Sequence, residues 1–301
     1  MKEKLLATPA QVQQIEDLSQ SGLTPHQIAR ALGVIVADVN RIVLEAQQRR
    51  RSGIQELLKV NFGEPLVLHG DNWMVTSDWH VPETDWGMIE RMIAIAQKHL
   101  RPPRQLVIAG DFFSQSQFSQ YAALVPPAPW AQERDAAREI LLTLLETFAD
   151  IWIVMGNHDR RLIKWSAANL DESDVFGMVI QNPRVHVNKF AYCTLETTHG
   201  KWRATHPDAY RQKRGVTPGD LADRLDMNVI SGHEHHSSLS VSPSGKHTAV
   251  SIGGLYDTSK IAYVQLTDSL RPAMVPGFSM LLDGYPYLFV DGVTNWQTWG
   301  A

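Results

Sequence analysis

Five short segments of this chain carry side chains that can bind divalent metal ions. In order along the sequence they are Asp78-Trp79-His80, Gly110-Asp111, Gly156-Asn157-His158-Asp159, Thr205-His206 and Gly232-His233-Glu234-His235. Their carboxylate and amide oxygens are hard ligands, and their imidazole nitrogens are borderline ones. One such segment would mean little, but five in series are hard to reach by accident. Together they could build a two-metal site for phosphoester hydrolysis.

These segments follow apolar runs that predict buried strands. The runs are Trp73–Val75, Leu106–Ala109, Ile151–Met155, Trp202–Thr205 and Val229–Ser231. In open α/β sheets, ligands gather at the carboxyl ends of the strands, so we expect the donor groups to converge on one rim. An i, i+2 spacing in an extended segment points both side chains the same way. Asp78 with His80, and His233 with His235, could therefore each hold a shared ion.

From about Leu66 the chain alternates predicted strands with predicted helices. Helical periodicity is present in Met88–Leu100 and in Ala131–Phe148, and after Pro183 the chain becomes more strand-like. Such alternation is typical of a layered α/β domain. The remaining predicted strands are Leu66–Leu68, Val185–Val187, Tyr192–Thr197, Thr248–Ile252 and Leu288–Val290.

Residues 8 to about 50 are predicted to form a small unit of three helices. Two of them begin with the same capping pattern, Thr8-Pro9-Ala10-Gln11 and Thr24-Pro25-His26-Gln27, in which threonine and glutamine cap each other. A third helix is expected from about Val36 through Val43. The run Gln27–Val34 resembles part of a helix-turn-helix unit, which would put the third helix in the position that reads DNA.

The charge of this helical unit leaves its role open. Residues 1–60 hold eight Lys or Arg against six Asp or Glu, a net of +2, and phosphate contacts dominate affinity for DNA. We expect weak DNA binding unless the unit dimerises, and docking or self-association explains it equally well. The run Arg49–Gly53 is interpreted as the exit toward a linker, which gives a helical domain at 1–52 and a second domain at 53–301.

Composition narrows the class of protein. The 301 residues are 44% apolar and 20% charged, enough for a sizeable core, and a net charge of −4 excludes a surface coated with positive charge throughout. A single cysteine, Cys193, excludes a disulfide framework and fits a reducing compartment. No apolar stretch approaches the roughly 20 residues that cross a bilayer, and the N-terminus lacks a signal-peptide core. We expect a soluble, cytoplasmic protein.

Over roughly residues 66–255 the five segments resemble the calcineurin-like metallophosphoesterase superfamily, whose pattern is D-x-H, G-D, G-N-H-D/E, a lone His and G-H-x-H. The resemblance implies an αββα sandwich, here preceded by the three-helix unit, and two divalent ions. One ion would be held by Asp78, His80, Asp111 and His235. The other would be held by Asp111, Asn157, His206 and His233, with Asp111 bridging. This ligand set suits Mn²⁺, which we favour, and also Fe or Zn²⁺.

The resemblance also implies a mechanism. Two cations would lower the pKa of a bridging water, and the resulting hydroxide would attack phosphorus in line. His158 is the candidate acid that protonates the leaving oxygen, a role that suits imidazole. Asp159 would orient His158 or support the site from outside the ligands. Arg160 and Arg161 open the following helix and could reach a phosphate oxygen.

Departures from the protein Ser/Thr phosphatases of this superfamily narrow the substrate. Those enzymes extend the second segment to G-D-x-x-D-R-G and end the third in Glu, whereas this chain continues from Asp111 with Phe112-Phe113-Ser114-Gln115 and has Asp159. A phosphoprotein substrate is therefore disfavoured. Trp79, Phe112 and Phe113 could stack on a base or could simply pack beneath the ligands.

The stretch Asp208–Gly215 is a basic, loop-like sequence directly after His206, and its Arg211 and Arg214 are candidate substrate-binding residues. Such a loop favours a polyanionic substrate. We therefore predict a phosphodiesterase or nuclease that acts on DNA or RNA. The alternatives are a phosphomonoesterase or cyclic-nucleotide phosphodiesterase on small molecules, and a regulatory binding module with a degenerate metal fold. The complete ligand set argues against the last.

Overall fold

The computed structural model describes residues 8–58, 63–119, 122, 128–261 and 274–301. The chain forms two compact units, Met1–Glu64 and Pro65–Ala301. Among the described residues, none of the helices has both the length and the apolar character that crossing a membrane requires.

The first unit consists of helices α1 (Pro9–Gln20), α2 (Pro25–Leu32) and α3 (Val36–Leu57). Both predicted capping boxes are present, and α2 ends at Gly33, whose left-handed φ of 67° glycine adopts without steric cost. The helices bury a small shared apolar core of Ile15, Ile28, Ala29, Val39 and Ile42.

The prediction that Arg49–Gly53 leaves the third helix toward a linker was wrong. Helix α3 continues through this run to Leu57. Its sequence explains the difference, because Gln, Arg and Glu are good helix formers and one exposed glycine costs only about 1 kcal/mol. A boundary after residue 52 would therefore cut a continuous helix.

The second unit contains two six-stranded sheets. The first sheet is built from β2 (Trp73–Thr76), β3 (Gln105–Ala109), β4 (Asp150–Val154), β5 (Val185–Asn188), β11 (Gly277–Leu282) and β12 (Tyr285–Val290). Its strand order is β12-β11-β2-β3-β4-β5, and β2 to β5 are parallel. The parallel strands place their carboxyl ends, and the segments that follow them, at one edge.

The second sheet is built from β1 (Leu66–His69), β6 (Tyr192–Thr197), β7 (Gly200–Thr205), β8 (Asn228–Ser231), β9 (Ser238–Val241) and β10 (Thr248–Ser251). Its order is β1-β6-β7-β8-β10-β9, and β7, β8 and β10 are parallel. Of these strands, β9 was not predicted, because its four residues offer only one short alternation of polar and apolar side chains.

Helices cover the outer faces of both sheets. The helices of this unit are α4 (Trp86–His99), α5 (Trp130–Leu145), α6 (Arg161–Trp165), α7 (Glu172–Gly177), α8 (Val216–Leu225) and α9 (Trp296–Trp299). Residues of β2 alternate between two cores: Met74 packs with α4 and α5, and Val75 packs against the second sheet. Helix α8 packs on β8 and β10. The layers are therefore α, β, β and α, as predicted.

Candidate metal centre

Seven candidate ligand side chains meet where the two sheets present their carboxyl ends. The segments after β2, β3 and β4 of the first sheet supply Asp78, His80, Asp111 and Asn157. The segments after β7 and β8 of the second sheet supply His206, His233 and His235. The structure thus brings all seven predicted ligands to one rim, and each sheet contributes part of the set.

The first ligand group consists of Asp78, His80 and His235, all buried. His235 Nε2 lies 3.0 Å from Asp78 Oδ1 and 3.1 Å from His80 Nε2. Two imidazole nitrogens this close are arranged as two ligands of one ion are, since neighbouring ligands about 2.1 Å from an octahedral ion are about 3 Å apart.

The second ligand group is centred on His206. Its Nε2 lies 3.1 Å from Asp111 Oδ2, 3.1 Å from Asn157 Oδ1 and 3.2 Å from His233 Nδ1. His206 Nδ1 lies 3.0 Å from the Ala109 carbonyl oxygen, to which it can donate. That hydrogen bond selects the tautomer whose Nε2 lone pair faces the other donors, as partners of metal-bound histidines do.

Asp111 lies between the two ligand groups. Its ligand atoms are within 4.8 Å of those of His206 and His233 on one side, and of His80 and His158 on the other. The backbone N–H of His158 donates to Asp111 Oδ1 at 2.8 Å and holds the carboxylate in place. Asp111 therefore occupies the position of a bridging ligand.

The prediction that Asp78 and His80 share one centre is confirmed, but the prediction that His233 and His235 share one is wrong. The extended backbone assumed for both pairs is also wrong. Asp78 and His80 have φ of 51° and 48°, and His233 and His235 have φ of 78° and 57°. Non-glycine residues seldom adopt the left-handed region, and residues with such strained backbone often cluster at functional sites. The twisted backbone sends His235 to the first group and His233 to the second, as the family resemblance implied.

The charges of the site suit cations. Burial would raise the pKa of Asp78 and Asp111, but neighbouring histidines hold both well below their ordinary values. Burial lowers the pKa of His80 and His233, which keeps both imidazoles neutral. Ionised carboxylates and neutral imidazoles are the forms that bind metal.

His206 is the exception among the candidate ligands. Burial lowers its pKa, but the adjacent Asp111 carboxylate outweighs burial and raises the pKa to about 9. A metal ion on Nε2 would compete with that proton, so binding is expected to release it.

Glycines at the rim leave no room for a side chain. A Cβ on Gly156 would lie 2.1 Å from Asp111 Oδ1, and a Cβ on Gly232 would lie 2.6 Å from Asp78 Oδ2. Only glycine at positions 156 and 232 lets the two loops approach the carboxylates this closely. Together with the buried carboxylates and the converging nitrogens, this close packing fits a metal centre.

His158, the candidate acid, lies at the edge of this site. Its Nδ1 lies 3.1 Å from the Ser114 carbonyl oxygen, and its Nε2 accepts from Arg161 at 2.8 Å. Burial lowers the pKa of His158 to about 4, against the opposing effect of Asp111. With these partners the imidazole is neutral, and Arg161 must release Nε2 before that atom can carry a proton to a leaving group.

Asp159 holds two loops together. Its carboxylate accepts from the backbone N–H groups of Phe113 at 3.0 Å and Gly156 at 2.9 Å. It is fully buried, and burial raises its pKa to about 7. Of the two roles considered for Asp159, this geometry favours support of the ligand loops over orientation of His158.

The candidate substrate-binding arginines occupy different environments. Arg160 is partly exposed and donates to the Lys189 carbonyl oxygen at 2.6 Å, whereas Arg161 donates to Ser114 O at 2.8 Å beside His158. Arg211 and Arg214 are exposed in the loop that joins β7 to α8. Of these four arginines, Arg161 is seen in direct contact with His158.

Glu234 is a site residue to which the sequence pattern assigned no role. It lies between His233 and His235, is 1% exposed, and accepts from the backbone N–H of Arg211 at 2.8 Å and from the Thr217 hydroxyl. The x position of G-H-x-H gives no sign of this contact. Glu234 therefore fastens the basic loop and the start of α8 to the metal rim.

Replacing Glu234 by alanine is expected to free the loop. The Arg211 N–H and the Thr217 hydroxyl would lose their acceptor, at about 1–3 kcal/mol for each group left unsatisfied. Trypsin should then cleave faster after Arg211, Lys213 and Arg214, as peptide mapping would show. Asp223→Ala is the matched control, since Asp223 on α8 also accepts a backbone N–H and a hydroxyl, both from Ser244. Equal cleavage in both variants would refute the anchoring role.

Aromatic residues near the ligands divide between core and site. Trp79, Phe112 and Phe113 are fully buried, so the suggestion that they stack on a base was wrong and the packing alternative is correct. Tyr256 lies beyond the last of the five segments, so no motif indicates it. Its ring is 4.6 Å from that of His235 and 5.7 Å from that of His80.

The sequence around the site matches one protein family. The profile of the calcineurin-like phosphoesterase family matches residues 73–237, more than half of the sequence. The chain belongs to this family. Family membership and the Asp and His clusters support a hydrolase of phosphoesters that binds divalent metal. A comparison with curated proteins finds no significant match.

Solved structures similar to this chain are distant in sequence. Vacuolar Protein Sorting 29 from Cryptosporidium parvum is 15% identical, with 74% of this chain and 97% of that chain covered and a TM-score of 0.37. Wild-type Vps29 from Entamoeba histolytica complexed with zinc is 13% identical, with 73% and 97% covered and a TM-score of 0.35. A predicted phosphoesterase from Streptococcus pneumoniae TIGR4 is 14% identical, with 73% and 97% covered and a TM-score of 0.32.

Proposed function

We propose that this protein is a binuclear metal-dependent phosphodiesterase that acts on nucleic acid, with Mn²⁺ as the favoured ion. The position of Asp111 carries the proposal, because its carboxylate reaches both ligand groups. A single carboxylate shared between two ligand groups suits a pair of ions better than one ion. The intact set of seven ligands argues against a degenerate scaffold.

The ions would supply an activated water and neutralise charge on the phosphoryl group. The residues of the chain would hold the ions and orient the substrate. Asp111 links the two ligand groups, and the Ala109 carbonyl fixes the tautomer of His206. Arg161 and His158 lie together at the edge of the site, where a guanidinium can pair with a phosphate oxygen and an imidazole with the leaving oxygen.

The basic loop supports a polyanionic substrate. Between Asp208 and α8 it carries Arg211, Lys213 and Arg214 and no acidic residue, and all three cations are exposed. Its anchor, Glu234, lies between two of the ligands. Phosphate groups on either side of a scissile bond would lie near this positive charge, whereas a small monoester offers only one phosphate.

Comparison of a diester with a monoester tests the reaction class. Purified protein in Mn²⁺ is expected to hydrolyse bis-p-nitrophenyl phosphate with a kcat/KM at least about tenfold above that for p-nitrophenyl phosphate, about 1.4 kcal/mol of transition-state preference. Protein kept in EDTA is the control and should hydrolyse neither. A preference for the monoester would replace this proposal with the phosphomonoesterase alternative. Faster turnover of a cyclic nucleotide than of any oligonucleotide would replace it with the small-molecule diesterase.

The N-terminal unit is proposed to assist by contacting DNA or RNA. Arg50 and Arg51 are exposed on α3, but Arg41 is paired with Glu45 at 3.3 Å, and Arg49 is paired with Glu16 at 2.5 Å. These ion pairs reduce the positive charge available to phosphates, so docking or self-association remains the alternative role. A cytoplasmic location, too, is a proposal, and it rests on composition alone.

A further inference from the structure

Trp165 is the most exposed tryptophan of the chain. Trp165 is the last residue of the short helix α6. It is 71% exposed, compared with 47% for Trp86, the next most exposed tryptophan. A large indole that remains in water at a defined position is a common feature of binding surfaces, because aromatic rings contribute most to contacts once they are covered.

Trp165 is held next to a second ring. Phe118 lies with its centroid 5.3 Å from that of Trp165, at an interplanar angle of 47°. Phe118 ends a short 3-10 turn that begins just after Gln115, and the Gln115 side chain accepts from the backbone N–H of Leu162 at 2.7 Å. The turn and α6 are therefore tied together, so the aromatic pair is positioned by contacts beneath it.

The same elements reach the catalytic edge of the metal site. Ser114, four residues before Phe118, contacts His158 through its carbonyl oxygen, and Arg161 donates to both of them. Arg161 and Trp165 are spaced i, i+4 on α6, which puts their Cβ atoms about 5–6 Å apart on one face. The exposed indole is thus about one helical turn from the side chain that contacts His158.

Positive charge surrounds this position on the helix. Residues 160–165 have the sequence Arg-Arg-Leu-Ile-Lys-Trp, with three cations and no acidic residue, and the Lys164 side chain is exposed. Cations beside an aromatic face are the combination that binds single-stranded nucleic acid, where phosphates pair with the charges and bases stack on the rings.

We propose that Trp165, supported by Phe118, is a stacking site for a nucleobase of single-stranded nucleic acid bound at the metal centre. The inference rests on the proposed function, since it places the base beside a phosphate held at the ligands. The charge of the helix selects a polyanion over an apolar protein segment, and the link to His158 through Arg161 selects a strand that continues into the site.

Binding of two matched probes by the full chain tests the inference. The probes are a labelled oligothymidylate and an abasic oligonucleotide of equal length. Both are titrated in Mn²⁺ on ice, binding is followed by anisotropy, and gel electrophoresis checks that the probes stay intact. Trp165→Ala is expected to weaken oligothymidylate binding about 5- to 150-fold, the range for loss of one stacked base, and to leave abasic binding unchanged. Trp165→Phe should retain most of the affinity, and Trp86→Ala is the control for loss of an exposed indole elsewhere.

Three results would overturn the stacking site. They are unchanged oligothymidylate affinity in Trp165→Ala, equal weakening toward both probes, and no binding of oligothymidylate by the wild type. If the last occurs while bis-p-nitrophenyl phosphate is still hydrolysed, the stacking site fails and the diesterase stands. If the base-dependent loss is seen in a protein that hydrolyses no diester, the stacking site stands and the proposed function fails.

Discussion

Replacing Asp111 by asparagine is expected to lower kcat for a small phosphodiester by more than about 100-fold. Replacing a residue that only orients a metal ligand can already cost about 100-fold. The reason is specific to the position of Asp111, because one carboxylate serves both ligand groups. An amide keeps the shape but removes the negative charge and one strong acceptor oxygen. Steady-state kinetics in Mn²⁺, with metal content measured on the same sample, checks the result.

The matched control for this substitution is Asp150→Asn. Asp150 also pairs with a histidine, His186, at 3.0 Å, but it begins strand β4 at the opposite end from the ligands. Its replacement should leave kcat within about twofold, as surface substitutions usually do. Near-normal turnover by Asp111→Asn would show that hydrolysis does not pass through the site described.

Adding a single methyl group at Gly156 is expected to disable the site as thoroughly. The new Cβ would lie 2.1 Å from Asp111 Oδ1 and 2.3 Å from Asp111 N, so the bridging carboxylate or the backbone of the loop must move. Displacement of a catalytic group by about 1 Å can cost about 100-fold in rate, and overpacking typically costs about 1–3 kcal/mol of stability. Activity, metal content and thermal unfolding of Gly156→Ala report these effects separately.

Gly177→Ala is the control for Gly156→Ala. Gly177 ends α7, and a Cβ there would meet nothing within 4 Å. Alanine at this position is expected to stabilise the protein slightly, by about 0.5–1 kcal/mol, through reduced freedom of the unfolded chain. Retention of both activity and metal by Gly156→Ala would mean that the loop can shift without disturbing Asp111.

Sequence reasoning placed the ligands because strand ends are predictable. Apolar runs such as Leu106–Ala109 and Ile151–Met155 predict buried strands. The carboxyl ends of parallel strands lie at the same edge of a sheet. The proximity of Asp111 and Asn157 was therefore predictable from the sequence. The capping boxes at Thr8 and Thr24 were predictable for a related reason, since each is decided within four residues.

The periodicity of apolar residues does not predict contacts between segments that are far apart in the sequence. The left-handed backbone at Asp78 and His80 is imposed by neighbouring loops, and nothing in a D-x-H pattern signals it. The hydrogen bond that the Arg211 backbone N–H donates to the Glu234 carboxylate joins two residues that are 23 positions apart in sequence. Burial of Phe112 and Phe113 depends on the helices packed against them, so a choice between stacking surface and core required the fold.

Because each sheet donates part of one ligand set, a bound cation would act as a cross-link between the two halves of the sandwich. The affinity for the ion then depends on how well the inner faces of the two sheets pack together. A substitution such as Val107→Ala in the layer between the sheets would therefore lower metal affinity. By the linkage of binding to folding, metal affinity and resistance to unfolding should rise and fall together. The ion would in this sense be a structural fastener as well as a reagent.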